Sequence, residues 1–329
     1  MHRLSLVAAL ALAAVAALRG ARGIPVRELD KRIFGGEFVP DSEAPYAVAV
    51  YKWKPDGSGS VCGGTLISDR HVVTAAHCLT SIADKFKDSY RVEIGYKSQQ
   101  RDKQTKVLAT KVDIHPDYQA KEDDKYDIAV LTIPRVEFGK AVQRMPVYDG
   151  GLEPKQPLLA VGWGRTESDD GLPNSLKKTM IEIGQPDQCK RFKSEFDNSN
   201  GPRVCALKSL TPGKGICMGD SGSGVSIDRD GKQYFVGLGS RIVFFGGTAC
   251  GSSDSASFFV HISSQLDFIM RSSGLTKEYL LDKKPEKKDD QPKPTQSGND
   301  DDDLPPPANE KTVTATVTKT VYLVMALPT

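Results

Sequence analysis

Between Ile33 and about Ser273 the chain is a succession of short apolar runs, among them Ala47 to Trp53, Val72 to Ala75, Ile128 to Ile133, Leu158 to Val161 and Phe235 to Leu238, separated by Gly, Pro and Asp turns. Runs of this length, rich in β-branched and aromatic residues, read as strands. Many short strands in series imply an all-β sandwich or barrel, because only a stacked or closed sheet buries so many half-apolar faces. A span of roughly 240 residues allows one domain or two. One stretch breaks the pattern: Ser263 to Met270 has helical spacing, with serine as a candidate cap. Six cysteines, Cys62, Cys78, Cys189, Cys205, Cys217 and Cys250, all fall inside this span. Spacing alone leaves about 15 pairings open. No Cys/His set has zinc-like spacing, so neither a metal nor a cofactor is expected.

Within this frame three stretches carry chemistry. Cys217-Met218-Gly219-Asp220-Ser221-Gly222-Ser223-Gly224 sets a serine among glycines directly after an aspartate. A hydroxyl is a weak nucleophile at neutral pH, and it needs exposure, a nearby base and backbone donors aimed at the developing oxyanion. Read alone, the stretch is equally a polar turn. Val73-Thr74-Ala75-Ala76-His77-Cys78 places a histidine after an apolar run, and Tyr126-Asp127-Ile128-Ala129-Val130-Leu131 places an aspartate at the mouth of another. Read alone, these are a packed core histidine and a strand-end turn residue. Together they supply a base, a group that orients it and a nucleophile, the set required for acyl transfer.

Ile33-Phe34-Gly35-Gly36, Cys62-Gly63-Gly64-Thr65-Leu66-Ile67 and Gly162-Trp163-Gly164 add three further landmarks in order. With them, the chain resembles the trypsin/chymotrypsin family of serine proteases over roughly Ile33 to Ser273. The resemblance implies an all-β fold of two six-stranded antiparallel β-barrels with a C-terminal helix, His77 and Asp127 in the first barrel and Ser221 in the second. It implies disulfides Cys62–Cys78, Cys189–Cys205 and Cys217–Cys250, and an oxyanion hole formed by the Gly219 and Ser221 amides. It implies activation by cleavage after Arg32, freeing an Ile33 amine to pair with Asp220. It also implies Gly215, Ile216 and Ser257 as substrate-binding positions. In trypsin-like members an aspartate six positions before the nucleophile selects Arg or Lys; here that position is Gly215, so an uncharged, chymotrypsin- or elastase-like pocket is expected, with Asp254 as the one residue able to restore a basic preference. Ser223 stands where the family usually has glycine. In Gly239 to Gly247 either Ser240 or Phe244 occupies the position that normally supports Asp127. The alternative function is a catalytically weak or inactive protease homologue acting as a binding or inhibitory module.

The ends read differently. Residues 1–23 carry His2 and Arg3 and then an apolar run from Leu4 to Leu18, short for a membrane span and read as a secretory signal peptide. Residues 24–32 read as a propeptide ending in Lys31-Arg32, residues 33–273 as the protease domain, and residues 274–329 as a disordered tail, charged and Pro-rich and then Thr/Val-rich. A secreted protein whose cysteines pair is expected, with cell-surface attachment through the tail as an option. The formal net charge of +2 is nearly balanced and shows no basic patch, which speaks against a nucleic-acid partner. The expected partners are polypeptide substrates and protein protease inhibitors, and the expected state is a monomer without an integral membrane span.

Overall fold

The computed structural model describes residues 36–40, 42–80, 91–96, 98–119, 124–164, 174–209, 215–245, 250 and 254–283. The leader, the propeptide, Arg32, Ile33 and the tail beyond residue 283 lie outside the described residues.

Strands β1 (Glu37–Phe38), β2 (Ala47–Trp53), β3 (Gly59–Leu66), β4 (His71–Thr74), β5 (Arg91–Tyr96), β6 (Thr105–Leu108), β7 (Lys111–Ile114) and β8 (Ala129–Thr132) fill the first half. The second half holds β9 (Pro157–Gly162), β10 (Lys177–Ile183), β11 (Arg203–Ser209), β12 (Gly224–Arg229), β13 (Lys232–Phe244) and β14 (Ser255–His261). Three short α-helices, α1 (Pro186–Lys190), α2 (Leu266–Ser273) and α3 (Lys277–Leu281), and three 3₁₀ turns, Ala76–Cys78, Arg101–Lys103 and Ile262–Gln265, complete the described elements.

The strands form two antiparallel sheets. The first runs β6-β5-β2-β3-β4-β8-β7. Its two edge strands are consecutive halves of one bent stretch: the Ala109 amide still donates to Val92 O of β5, while the next amide, Thr110, donates to Thr132 O of β8. The sheet therefore curls back on itself. In the second, β9 pairs with both β12 and β10, which closes a six-stranded barrel, and β1 is added outside on β10. Along β10 the side chains alternate between interior and surface, with Thr179, Ile181 and Ile183 inward and Met180 outward, as the two-residue period of a strand requires. Leu66, Ile94, Ile128 and Leu131 fill the first barrel, and Leu158, Ile181, Val204 and Phe259 the second.

The disulfides are Cys62–Cys78, Cys189–Cys205 and Cys217–Cys250. The first ties β3 to the turn after β4, the second α1 to β11. A 3₁₀ turn over Ile262–Gln265 precedes α2. The helix thus starts at Leu266, later than the serine-capped start expected from sequence. Ser263 and Ser264 cap nothing, because their hydroxyls bond to His261 Nε2 and His261 O. Gly274, with φ of 71° in the left-handed region, ends α2. The packed unit continues past Ser273: Leu280 and Leu281 of α3 are buried, and Leu280 O accepts from the Val147 amide.

Candidate active site

His77 sits in the 3₁₀ turn Ala76–Cys78 that follows β4. Ala75 and Ala76 before it are fully buried, and Cys78 after it is bonded to Cys62, so the turn is anchored on both sides. Its side chain keeps 34% of its surface exposed. Nδ1 lies 2.7 Å from Asp127 Oδ2, and the His77 backbone amide donates to Asp127 Oδ1 at 2.8 Å. A carboxylate bound this way favours the tautomer protonated at Nδ1 and leaves Nε2 with a free lone pair.

Asp127 lies just before β8 and is 4% exposed. Besides the two bonds from His77, it accepts one at 2.5 Å from Ser240 Oγ. The residue at the Asp127 support position is thus Ser240, and Phe244 lines the adjacent cavity. The backbone accounts for this choice. Gly239 pairs with Phe259 and Arg241 with Phe258, so Ser240 is the extra residue of a β-bulge in β13. A bulge bends the strand and re-aims a side chain, here across to the other sheet. Periodicity cannot register a bulge, which is why the sequence left two candidates.

The segment bearing Ser221 is held by backbone bonds. Ser221 O accepts from Gly63 N of β3 at 2.8 Å, and Gly222 N donates to Gly239 O at 2.8 Å. Gly219 and Gly222 have φ of 99° and 78°, conformations that favour glycine. A Cβ on Gly222 would also meet Gly63 O at 2.4 Å. The structure joins His77 to Asp127 directly, whereas the Ser221 hydroxyl forms no hydrogen bond to His77 among the described residues. What unites the three is Ser240, which bonds Asp127 and lines the same cavity as Ser221. Ser223 next to it is 6% exposed, and its hydroxyl has no hydrogen-bond partner among the described residues.

Asp220 is 3% exposed. Its carboxylate accepts from the amides of Gly164 at 2.7 Å and Cys217 at 2.8 Å. These two bonds do not offset burial, which pushes its pKa up to about 6. The proposed partner, Ile33, lies outside the described residues.

The cavity beside Ser221 measures about 180 Å³. Ile216, Met218, Ile242, Phe244, Ser257 and Phe258 form much of its lining. Of the substrate-binding positions expected from sequence, Ile216 and Ser257 line it; Gly215 is buried and is not in the lining. Asp254 does not reach it either. It borders a separate hollow with Lys155, Glu182, Arg191 and Phe192, and its carbonyl accepts from the Phe245 amide. The described lining of this cavity thus includes neither Gly215 nor Asp254.

Two features escaped the sequence. The Tyr118 hydroxyl has a pKa pushed up to about 12, chiefly by burial and then by the Asp127 charge, with Arg241 acting in the opposite direction. And Asp124, three residues before Asp127, forms an ion pair with Arg203 of β11 at 2.5 Å and with Lys193 at 3.2 Å; Asp124 and Arg203 are each 4% exposed. No local pattern marks contacts that join residues 79 positions apart.

A family model described as Trypsin matches residues 33–269. CLIP domain-containing serine protease B4 of Anopheles gambiae is 26% identical over 260 residues, covering 74% of this chain and 70% of that protein. Trypsin of Simulium vittatum is 30% identical over 223 residues, covering 66% of this chain and 87% of that protein. Among solved structures, HL collagenase superposes with a TM-score of 0.59 at 23% identity, over 74% of this chain and 99% of that one, a likeness of fold.

Proposed function

Because the chain belongs to the trypsin family of serine proteases and is accordingly a serine endopeptidase acting on polypeptides, we propose that His77, Asp127 and Ser221 are its catalytic triad. The observation that carries this reading is the hydrogen-bonded series His77, Asp127, Ser240, whose last member shares a cavity with Ser221. His77 Nε2 takes the Ser221 proton as Oγ attacks the substrate carbonyl. Asp127 holds the ring in its tautomer and stabilises the imidazolium. The Gly219 and Ser221 amides receive the oxyanion, a contribution of about 3 kcal/mol per donor. The imidazolium then protonates the leaving amine, and water, deprotonated by His77, releases the acyl group.

The primary specificity of this reading is uncharged, in the manner of chymotrypsin or elastase. Gly215 supplies no carboxylate, and the cavity lining is dominated by Ile216, Ile242, Phe244 and Phe258; a lysine or arginine side chain there would be desolvated without a partner. The protein is secreted as a zymogen, in keeping with three disulfides. Cleavage after Arg32 frees the Ile33 amine for Asp220, and the raised carboxyl pKa of Asp220 is what a site awaiting a cation has. Protein protease inhibitors are its further partners, and it acts as a monomer.

Hydrolysis of a mixed peptide library by protein with a confirmed Ile33 terminus tests the reading. Ser221→Ala should lower kcat by about 10⁴-fold or more, and cuts should follow apolar or aromatic residues. Turnover that survives in Ser221→Ala would sink the triad. Ser223, which stands where the family usually has glycine and whose buried hydroxyl has no partner among the described residues, favours one other reading, a homologue that binds without cleaving; that protein would show no turnover from the start and would keep its binding in Ser221→Ala.

A further inference from the structure

Arg241 follows the bulged Ser240 in β13 and lines the cavity beside Ser221. It is exposed, and among the described residues it has no ion-pair partner. The acids in its neighbourhood are committed elsewhere. Asp127 is bound by His77 and Ser240, Asp220 is bound by two backbone amides, and Asp254 borders a different hollow. Tyr118 feels the charges of both Asp127 and Arg241, and Arg241 shares its cavity with Ser221 and Ser240.

The strand that presents Arg241 is open on one side. β14 covers β13 from Gly237 to Phe244, whereas β12 covers it only as far as Leu238, opposite Gly224. From Arg241 to Phe244 the strand edge on the β12 side has no strand partner among the described residues, the kind of edge to which an extended peptide adds as a further strand. A peptide lying there with one side chain in the cavity places its preceding residues along Arg241. A guanidinium offers a fixed fork of donors that matches a carboxylate.

We infer that Arg241 is a specificity-determining residue that selects polypeptides carrying aspartate or glutamate within the two or three positions before the residue held in the cavity. The inference rests on the protease reading above and adds to it a class of substrate.

The test compares kcat/KM for peptides identical except for Asp, Asn or Lys at each of those positions, using the intact, Ile33-terminated enzyme and its Arg241→Gln and Arg241→Glu variants. At low salt the unaltered enzyme should prefer Asp over Asn by about five- to tenfold at one position, the strength of a partly exposed charged pair, and the ratio should shrink as salt rises. Arg241→Gln should bring the ratio to about one, and Arg241→Glu should favour Lys. Because each readout is a ratio within one enzyme, a general loss of activity in a variant does not mimic the effect. Equal cleavage of Asp and Asn peptides by the unaltered enzyme, or a preference that persists in Arg241→Gln, would overturn the inference and leave the protease reading standing. No cleavage of any peptide by the unaltered enzyme would overturn both.

Discussion

The Asp127 carboxylate is held by three donors, and the one from Ser240 crosses between the sheets at 2.5 Å. Removing it in Ser240→Ala should cost about 1.5 to 3 kcal/mol of orientation in the charged state, as for hydrogen bonds to ions. The expected outcome is a fall in kcat of about tenfold or more with KM little changed, checked by steady-state kinetics on a peptide substrate. Asp220 makes a second prediction, about pH. In the chain that keeps residues 24–32, its folded pKa of about 6 exceeds the unfolded value near 3.8, so the folded state holds a proton that the unfolded state has released. Stability should therefore be full below about pH 4 and decline as pH rises to about 6, by about 3 kcal/mol in total. With the Ile33 amine as partner the carboxylate is favoured, and that decline should vanish. Thermal denaturation of both forms between pH 4 and 7 checks the difference; identical profiles would remove Asp220 as the acceptor of the new terminus. At this scale Ser221 stands out in the sequence by its glycine neighbours, His77 by the Ala75-Ala76 pair that follows an apolar run, and Asp127 by its place at the mouth of another apolar run. Ser240 does not, since its role depends on a bulge.

Among the elements, the strands read from sequence were those with dense apolar runs. Ala47–Trp53 reappears residue for residue as β2, and the runs at Leu158 to Val161 and Phe235 to Leu238 lie inside the longer β9 and β13. β10 and β11 were not read, because Lys177, Lys178 and Glu182 in the one and Arg203 and Lys208 in the other dilute the apolar signal. Arg203 is nonetheless buried, paired with Asp124 across the two sheets. Arg203→Met should leave Asp124 with only Lys193 and destabilise the fold by about 3 kcal/mol, while adding Asp124→Asn should recover most of that loss, because a lone buried charge costs more than a missing pair. Urea unfolding of the single and double variants measures this, and a double variant no more stable than the single one would refute it. The start of α2 was missed for a related reason: Ser263 and Ser264 have the residue type of a cap but bond to His261 instead.

For the folded unit as a whole, the series of short strands made a sandwich or barrel legible and the family resemblance narrowed it to two barrels, but the contribution of the residues after Ser273 was not legible, because α3 has only five residues and sits beside a strongly charged stretch. Leu280 is 1% exposed, and Leu280→Ala in the full chain should lower stability by about 2 to 4 kcal/mol, the usual range for a buried leucine. Calorimetry reads this as a drop in Tm, and an unchanged Tm would show that α3 is ornamental. The hydrogen bond from Ser240 to Asp127 spans 113 residues of chain, and α3 then returns to Val147. Ribosomes deliver residues in order, so a chain that has emerged only as far as β8 carries His77 and Asp127 but neither Ser221 nor Ser240. On the proposed reading, incomplete translation products thus lack a complete triad and are harmless to neighbouring polypeptides whether or not residues 24–32 remain attached.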